Sequence, residues 1–305
     1  MYCLITNDVE TTSILNHRLD DKTGKLVLKQ GMPRLLELYE KFNIKATFFY
    51  TAYIAKLYPE VVRMVIPYGH EVGSHGYTHH PNQAFDVLPF SEQKEHLKKS
   101  KEILENIAGK EVISFRAPAA RVNKNTAKAL LETGFKIDSS VASQRLDMFM
   151  SFGAIKKLNW IYAPRLPYFT NPTNIFKSGN SSLLEIPISA FGFPYIGTFM
   201  RIAPGLNRLT RNLLNIENRF NKKPIVFLTH PNEFIDEQRD TKAIERRGKS
   251  FFSYILGDML RHRLKTRNLG EKALPIFEKE LDCFQKREYS FITCTEYYNT
   301  VMKKV

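Results

Sequence analysis

Residues 2–10, Tyr2-Cys3-Leu4-Ile5-Thr6-Asn7-Asp8-Val9-Glu10, begin apolar and finish on two acids. A short apolar run that turns acidic only at its end reads as a buried strand delivering Asp8 and Glu10 to its C-terminal mouth. Alternate side chains of an extended strand share a face, so both carboxylates point the same way. Such strand ends are where the reactive groups of α/β barrels collect.

Further β-like runs follow at Lys45–Tyr50, Glu71–Ser74, Val112–Phe115, Leu183–Pro187, Ile225–Leu228 and Ser290–Thr293, with helical patterns between them. Met32, Leu35, Leu36, Tyr39 and Phe42 form one stripe. Ser91 reads as the N-cap of a helix that stops at Gly109, and Asn125 to Glu132 closes at Gly134. Strand and helix taking turns from end to end predicts a parallel sheet, either a barrel or a doubly wound sheet. The 305 residues, 43% apolar and 25% charged, suit one large α/β domain with a full core. No repeat, linker or low-complexity tract divides them.

The second informative stretch is Gly73-Ser74-His75-Gly76-Tyr77-Thr78-His79-His80-Pro81. Two imidazoles four positions apart can reach one metal ion, and a carboxylate from elsewhere would complete a three-ligand site with a position left for water. His70 reads as structural, and His80 as part of the turn before Pro81. Cys3, Cys283 and Cys294 are scattered and odd in number, so they form no disulfide framework. The first strand starts within two residues of Met1, so export by a cleaved signal is not expected, and no apolar stretch approaches membrane-spanning length. A cytoplasmic protein, at most peripheral on the inner membrane face, is expected.

With Thr6-Asn7-Asp8-Val9-Glu10, Ala46-Thr47-Phe48-Phe49, His70 through His79, Phe115-Arg116-Ala117-Pro118, Asp138-Ser139-Ser140, Glu185-Ile186-Pro187 and Leu228-Thr229-His230-Pro231 in this order, the chain resembles the NodB-homology polysaccharide deacetylases. The resemblance implies an α/β fold, a deformed (β/α) barrel forming a single catalytic domain over 1–305, with basic and aromatic insertions near 160–223 and 235–270. The Asp-Val-Glu opening, Gly197 to Pro204 and His230-Pro231-Asn232-Glu233 look like the branch acting on cell-surface glycans and lipid-linked sugars.

Carried over by resemblance, Asp8 is the catalytic base, Arg116 its partner, His230 the catalytic acid, and His75 and His79 the metal-binding histidines. The family's usual second acid is replaced by Val9, so Glu10 is expected as the third ligand, with exchanged roles for Asp8 and Glu10 as the rival arrangement. The implied reaction is hydrolysis of an N-acetyl or N-formyl group on an amino-sugar glycan or polyprenyl-linked sugar. A divalent metal, zinc before cobalt, nickel, manganese or iron, would polarise the carbonyl and lower its water's pKa from about 15.7 towards 7. Backbone amides after Arg116 would assist at the oxyanion. A non-catalytic glycan-binding relative and a hydrolase of a non-sugar imide or ureide are the competing readings.

Candidate substrate contacts are Pro118, Asp138, Trp160 and Glu233. Asp138 reads equally as a strand-end turn, Trp160 as loop packing, and Glu233 either as a residue orienting a neighbour of His230 or as a solvated loop carboxylate. The net charge of +14 is carried largely by Arg201 to Lys223 and Arg239 to Arg267, interleaved with apolar residues. Either those apolar residues pack on the barrel under a solvated cationic exterior, or the helices dock on an anionic membrane surface, where each well-placed cation contributes about 1 kcal/mol. No motif for nucleic-acid recognition accompanies the charge.

Overall fold

The computed structural model describes residues 1–16, 18–144, 159–238 and 259–303. Its centre is a curled sheet built from β1 (Tyr2–Val9), β2 (Thr47–Tyr50), β3 (Glu71–Ser74), β4 (Ser114–Phe115), β5 (Ile137–Asp138), β6 (Tyr168–Asn171), β7 (Asn174–Ser178) and β8 (Leu184–Glu185), continued by β11 (Ile225–Thr229) and β12 (Ser290–Phe291) beside β1. A separate hairpin pairs β9 (Ala190–Phe191) with β10 (Phe193–Pro194). The sheet order is β11-β1-β2-β3-β4-β5-β8-β6-β7, parallel from β11 through β8 and antiparallel beyond. Past β8, Ser189 N donates to Val226 O at 3.1 Å and Ser189 Oγ accepts from Val226 N at 2.9 Å, so the chain returns to β11 and curls the sheet towards closure. The doubly wound alternative is thereby excluded.

Period-two alternation divides the core. Cys3, Ile5 and Val9 of β1 belong to the outer layer under the helices, whereas Leu4 joins Phe49, Ile137, Leu184, Ile186, Val226 and Cys294 inside the barrel. Asn7 also faces outward, where its Oδ1 accepts a 2.7 Å bond from Tyr39 OH and ties β1 to a helix; the sequence gives no hint of this strut. At the barrel floor Glu71 accepts from Thr47 Oγ1, Thr295 N and Thr295 Oγ1, anchoring the C-terminal helix Cys294–Met302.

Around the sheet lie α1 (Asp21–Leu26), α2 (Met32–Lys41), α3 (Ala52–Leu57), α4 (Glu60–Arg63), α5 (Phe90–Ala108), α6 (Thr126–Glu132), α7 (Asn159–Tyr162), α8 (Gly197–Ile202) and α9 (Pro204–Asn221), followed by helices at Leu260–Lys265 and Leu274–Gln285. The stripe expected on α2 is buried, and α5 ends on left-handed Gly109 as expected. Its start differs: Pro89 is the N-cap, because its extended backbone puts its carbonyl within reach of Gln93 N, and Ser91 lies inside the first turn. Much of the basic stretch Arg239–Arg267, residues 239–258, falls outside the described residues.

Candidate active site

Asp8 closes β1 from inside the barrel and Glu10 follows one residue past the strand's end, both almost fully buried, as the two-residue period requires. Arg116, one residue beyond β4, crosses the interior above the Phe49 ring, 4.5 Å from its centroid. Its Nη1 donates to Asp8 Oδ1 at 3.0 Å and Thr6 Oγ1 at 2.8 Å, while Nε and Nη2 donate to Ser139 O and Oγ, each at 2.8 Å. A guanidinium fixed at four points presents its carboxylate partner in one orientation. Burial works to raise the Asp8 carboxyl, but His75, Arg116 and His230 together outweigh it and hold the group below the usual aspartate value.

His75 follows β3, and His79 returns through a turn in which Gly76 takes a φ of +71°, a conformation costly for residues with a Cβ. The two rings lie 5.7 Å apart between centroids. His75 Nδ1 is 2.8 Å from Arg116 O; a carbonyl can only accept, so Nδ1 carries the proton. Burial lowers the His75 pKa against the pull of Asp8 and Glu10, and the Nδ1 bond leaves Nε2 facing inward. That buried Nε2 has no hydrogen-bond partner among the described residues and lies 3.7 Å from Asp8 Oδ2. His79 Nδ1 is 3.3 Å from Glu10 Oε2, which also accepts from Thr12 Oγ1 at 2.7 Å.

The expected ligand set is therefore gathered on one side of the mouth but divided between two carboxylates, His75 beside Asp8 and His79 beside Glu10. Among the described residues, no group of three His, Cys, Asp or Glu side chains encloses an ion. The donor chemistry nevertheless suits a divalent cation: two imidazoles and a carboxylate, with a bare buried nitrogen whose opposite ring position is pinned by a carbonyl, the usual arrangement behind metal-bound histidines.

His230 follows β11, across the mouth from His75, with Nε2 3.9 Å from Asp8 Oδ2 and Nδ1 3.5 Å from Glu233 Oε1. Burial would lower its pKa, but Glu233, Asp8 and Glu10 overcome this and raise it to about 9. Glu233 is fully buried and accepts from Thr198 Oγ1 at 2.7 Å and Thr229 Oγ1 at 3.2 Å, with Arg201 Nε 3.4 Å away. Although burial opposes ionisation, Arg201 and His230 hold Glu233 at about 2. Gly197 makes the arrangement possible, since a Cβ there would collide with Glu233 Oε2. The family-like segment Gly197 to Pro204 thus serves to hold the residue that holds His230.

The expected substrate contacts fare differently. Glu233 has no exposed surface and lies 3.5 Å behind His230 Nδ1, so it is neither a solvated loop carboxylate nor open to the mouth. Trp160 is 1% exposed in the core, because the short helical turn α7 turns this one ring inward while Tyr162 stays exposed. Asp138 is fully buried, accepting from Ser140 Oγ at 2.6 Å and facing Glu185 across the β5–β8 register. Burial raises both carboxyls of that pair. Pro118 is buried beside the Gly76 turn. The amides after Arg116 do not form the expected oxyanion aid at Ala117, Ala120 or Arg121: Ala117 N is bound by Ser140 Oγ, Ala120 N by Ala117 O and Arg121 N by Pro118 O. Nothing local in the sequence marks Ser139, Thr198 or Arg201, which reach the site only through the fold. His70 Nδ1 accepts from Ala46 N and His80 Nδ1 from Asn82 N, structural roles for both.

Residues 18–137, containing His75, His79 and Arg116, match the family model for polysaccharide deacetylase. That match covers 120 of the chain's 305 residues. It is 33% identical to a peptidoglycan deacetylase of Helicobacter pylori over 122 residues, 40% of this chain and 41% of that protein. The alignments span less than half the length of the curated relatives matched. Likeness of fold extends further than likeness of sequence. A Mycobacterium smegmatis structure named as a polysaccharide deacetylase superposes with a TM-score of 0.56 at 19% identity, over 94% of this chain and 92% of that one. An allantoinase superposes with a TM-score of 0.59 at 16% identity, over 97% and 89%. The deformed barrel expected of the deacetylase domain is the fold observed.

Proposed function

We propose that this chain is a metal-dependent hydrolase that removes an acetyl or formyl group from the nitrogen of an amino sugar in a surface polysaccharide or lipid-linked glycan. The observation that carries the reading is the pairing of Asp8 Oδ2 with His230 Nε2 across 3.9 Å, one group held ionised and the other protonated, each partly by the other, with Arg116 acting on the first and Glu233 on the second. Carboxyl and imidazole driven apart in this way serve as base and acid at the same neutral pH.

His75, His79 and Glu10 would hold the cation, which when bound supplies Lewis-acid activation of water and carbonyl. Asp8 Oδ2 then takes a proton from the attacking water, while Arg116 keeps the carboxylate aimed. His230 gives its Nε2 proton to the departing amine as the C–N bond breaks, releasing a free amino sugar and a carboxylate. Glu233 stabilises the imidazolium before that transfer.

The test is acyl release from free and polyprenyl-linked N-acetyl and N-formyl amino sugars, with imides and ureides in parallel, before and after chelation and reloading with zinc, cobalt, nickel or manganese. Acetate or formate appearing with free amine, only when metal is loaded, is the expected result. Turnover confined to ureides overturns the substrate class. Stoichiometric metal without turnover of any amide favours a glycan-binding module.

A further inference from the structure

Helix α9, Pro204–Asn221, is inside out. Leu206, Leu209, Leu213, Ile216 and Phe220 recur at spacings of three and four and form one apolar stripe. On a barrel helix that stripe should face the sheet. Instead Leu206 is 44% exposed, Leu209 55%, Ile216 51% and Phe220 86%, while the face turned to the barrel is Asn207, Thr210, Arg211, Leu214, Asn215 and Asn218. The barrel-packing expectation therefore fails for the leucine stripe of this stretch.

Specific bonds prevent the helix from rolling over. Arg211 Nη1 lies 2.9 Å from Glu280 Oε2, which also accepts from Tyr195 OH at 2.7 Å. Tyr289 OH donates to Asn215 Oδ1 at 2.8 Å, and Asn218 Nδ2 to Lys223 O at 2.5 Å. Burying the leucines would break all of these and strand their polar atoms.

Beside the stripe, Arg208 and Arg219 are exposed, and Lys222 is exposed at the helix's C-terminal end. The helix's single acid, Glu217, is engaged by Arg165 through bonds of 2.7 and 2.6 Å. Arg165 also lies over Phe191, 5.3 Å from the ring centroid, which links the patch to the exposed Phe191 and Phe193 of the β9–β10 hairpin.

We propose that this face of α9, with Phe191 and Phe193, docks side-on to an anionic lipid bilayer, its apolar side chains entering the acyl boundary and its cations meeting the headgroups. An apolar stripe flanked by cations along about 27 Å of helix has the form of an interfacial helix. No helix among the described residues is long and apolar enough to cross a membrane, which leaves lying in the interface. Pairing two copies along the stripe would crowd Arg208 and Arg219 of both copies beside the seam, with Glu217 already committed to Arg165. This surface is independent of whether the chain hydrolyses a sugar amide.

The test is co-sedimentation of the full chain with phosphatidylcholine vesicles lacking or containing phosphatidylglycerol. Binding to the anionic vesicles is expected, with roughly 100-fold weaker partition for Leu209→Ser/Ile216→Ser/Phe220→Ser and for Arg208→Gln/Arg219→Gln/Lys222→Gln. These changes are on exposed positions, and an unaltered thermal melt confirms folding. In a separate variant, Phe220→Trp should blue-shift on anionic vesicles, against a background of the single buried Trp160. Undiminished binding by the serine variant, equal binding to neutral vesicles, or a dimer that the serine variant makes monomeric without vesicle binding by the parent would each overturn the proposal.

Discussion

Asp8 and Glu10 stand two residues apart, on the same side of one chain segment and equally buried, yet their surroundings divide the mouth of the barrel in two. Asp8 is gripped by a guanidinium that is itself held at four points, and it faces two imidazoles. Glu10 has one threonine hydroxyl and His79, whose ring keeps 23% of its surface open. The first setting fixes a charge and aims it, as a base requires; the second leaves a carboxylate and an imidazole able to adjust around an ion. On the proposed roles, the carboxylate that does chemistry and the carboxylate that binds the ion are two residues apart.

The strongest way to break this contrast is to neutralise each acid in turn. Asp8→Asn should lower kcat about 1,000-fold or more, a barrier increase of about 4 kcal/mol, while metal stoichiometry by atomic absorption stays near the parent's. Glu10→Gln should do the opposite, losing metal on dialysis and recovering part of its activity in excess zinc. If Asp8→Asn loses the metal and Glu10→Gln keeps it, the roles are exchanged.

The opposite wall offers a second, smaller effect. His230 with a pKa raised to about 9 keeps its proton up to that pH and loses it above, so kcat/KM should fall on a basic limb near 9. Stability follows the same sign: the favourable His230–Glu233 interaction is fully present below the ordinary histidine value and lost as pH rises through about 9. Glu233→Gln removes the buried anion, and the basic limb should move down towards the ordinary value of about 6.5, with kcat at neutral pH reduced about 10- to 100-fold. A merely structural loss would lower the rate without moving the limb.

What the sequence disclosed follows from the range of its rules. Period two put Asp8 and Glu10 on one face, and four-residue spacing put His75 and His79 together, because both are local. Glu233 was ambiguous because the groups that bury it, Thr198 and Arg201, lie some thirty positions earlier and arrive through α8. Trp160 resembles loop because Pro164, Pro167 and Pro172 follow it closely, whereas its own ring packs inward from a short helical turn whose neighbour Tyr162 stays exposed. Amphipathicity showed the stripe on α9 but not which side meets the barrel, since that depends on Glu280, Tyr195 and Tyr289 from elsewhere in the chain.

The mildest perturbation probes the adjustable half alone. Thr12 Oγ1 donates 2.7 Å to Glu10 Oε2, the oxygen that also faces His79, and touches nothing in the Asp8 network in doing so. Thr12→Val keeps the side chain's shape and removes that bond. If Glu10 serves as ligand, freeing its carboxylate should weaken metal affinity about tenfold in a chelator competition, with kcat at saturating metal unchanged. A fall in kcat at full metal loading would instead tie Glu10 to the proton transfers, and the division between the two halves of the mouth would disappear.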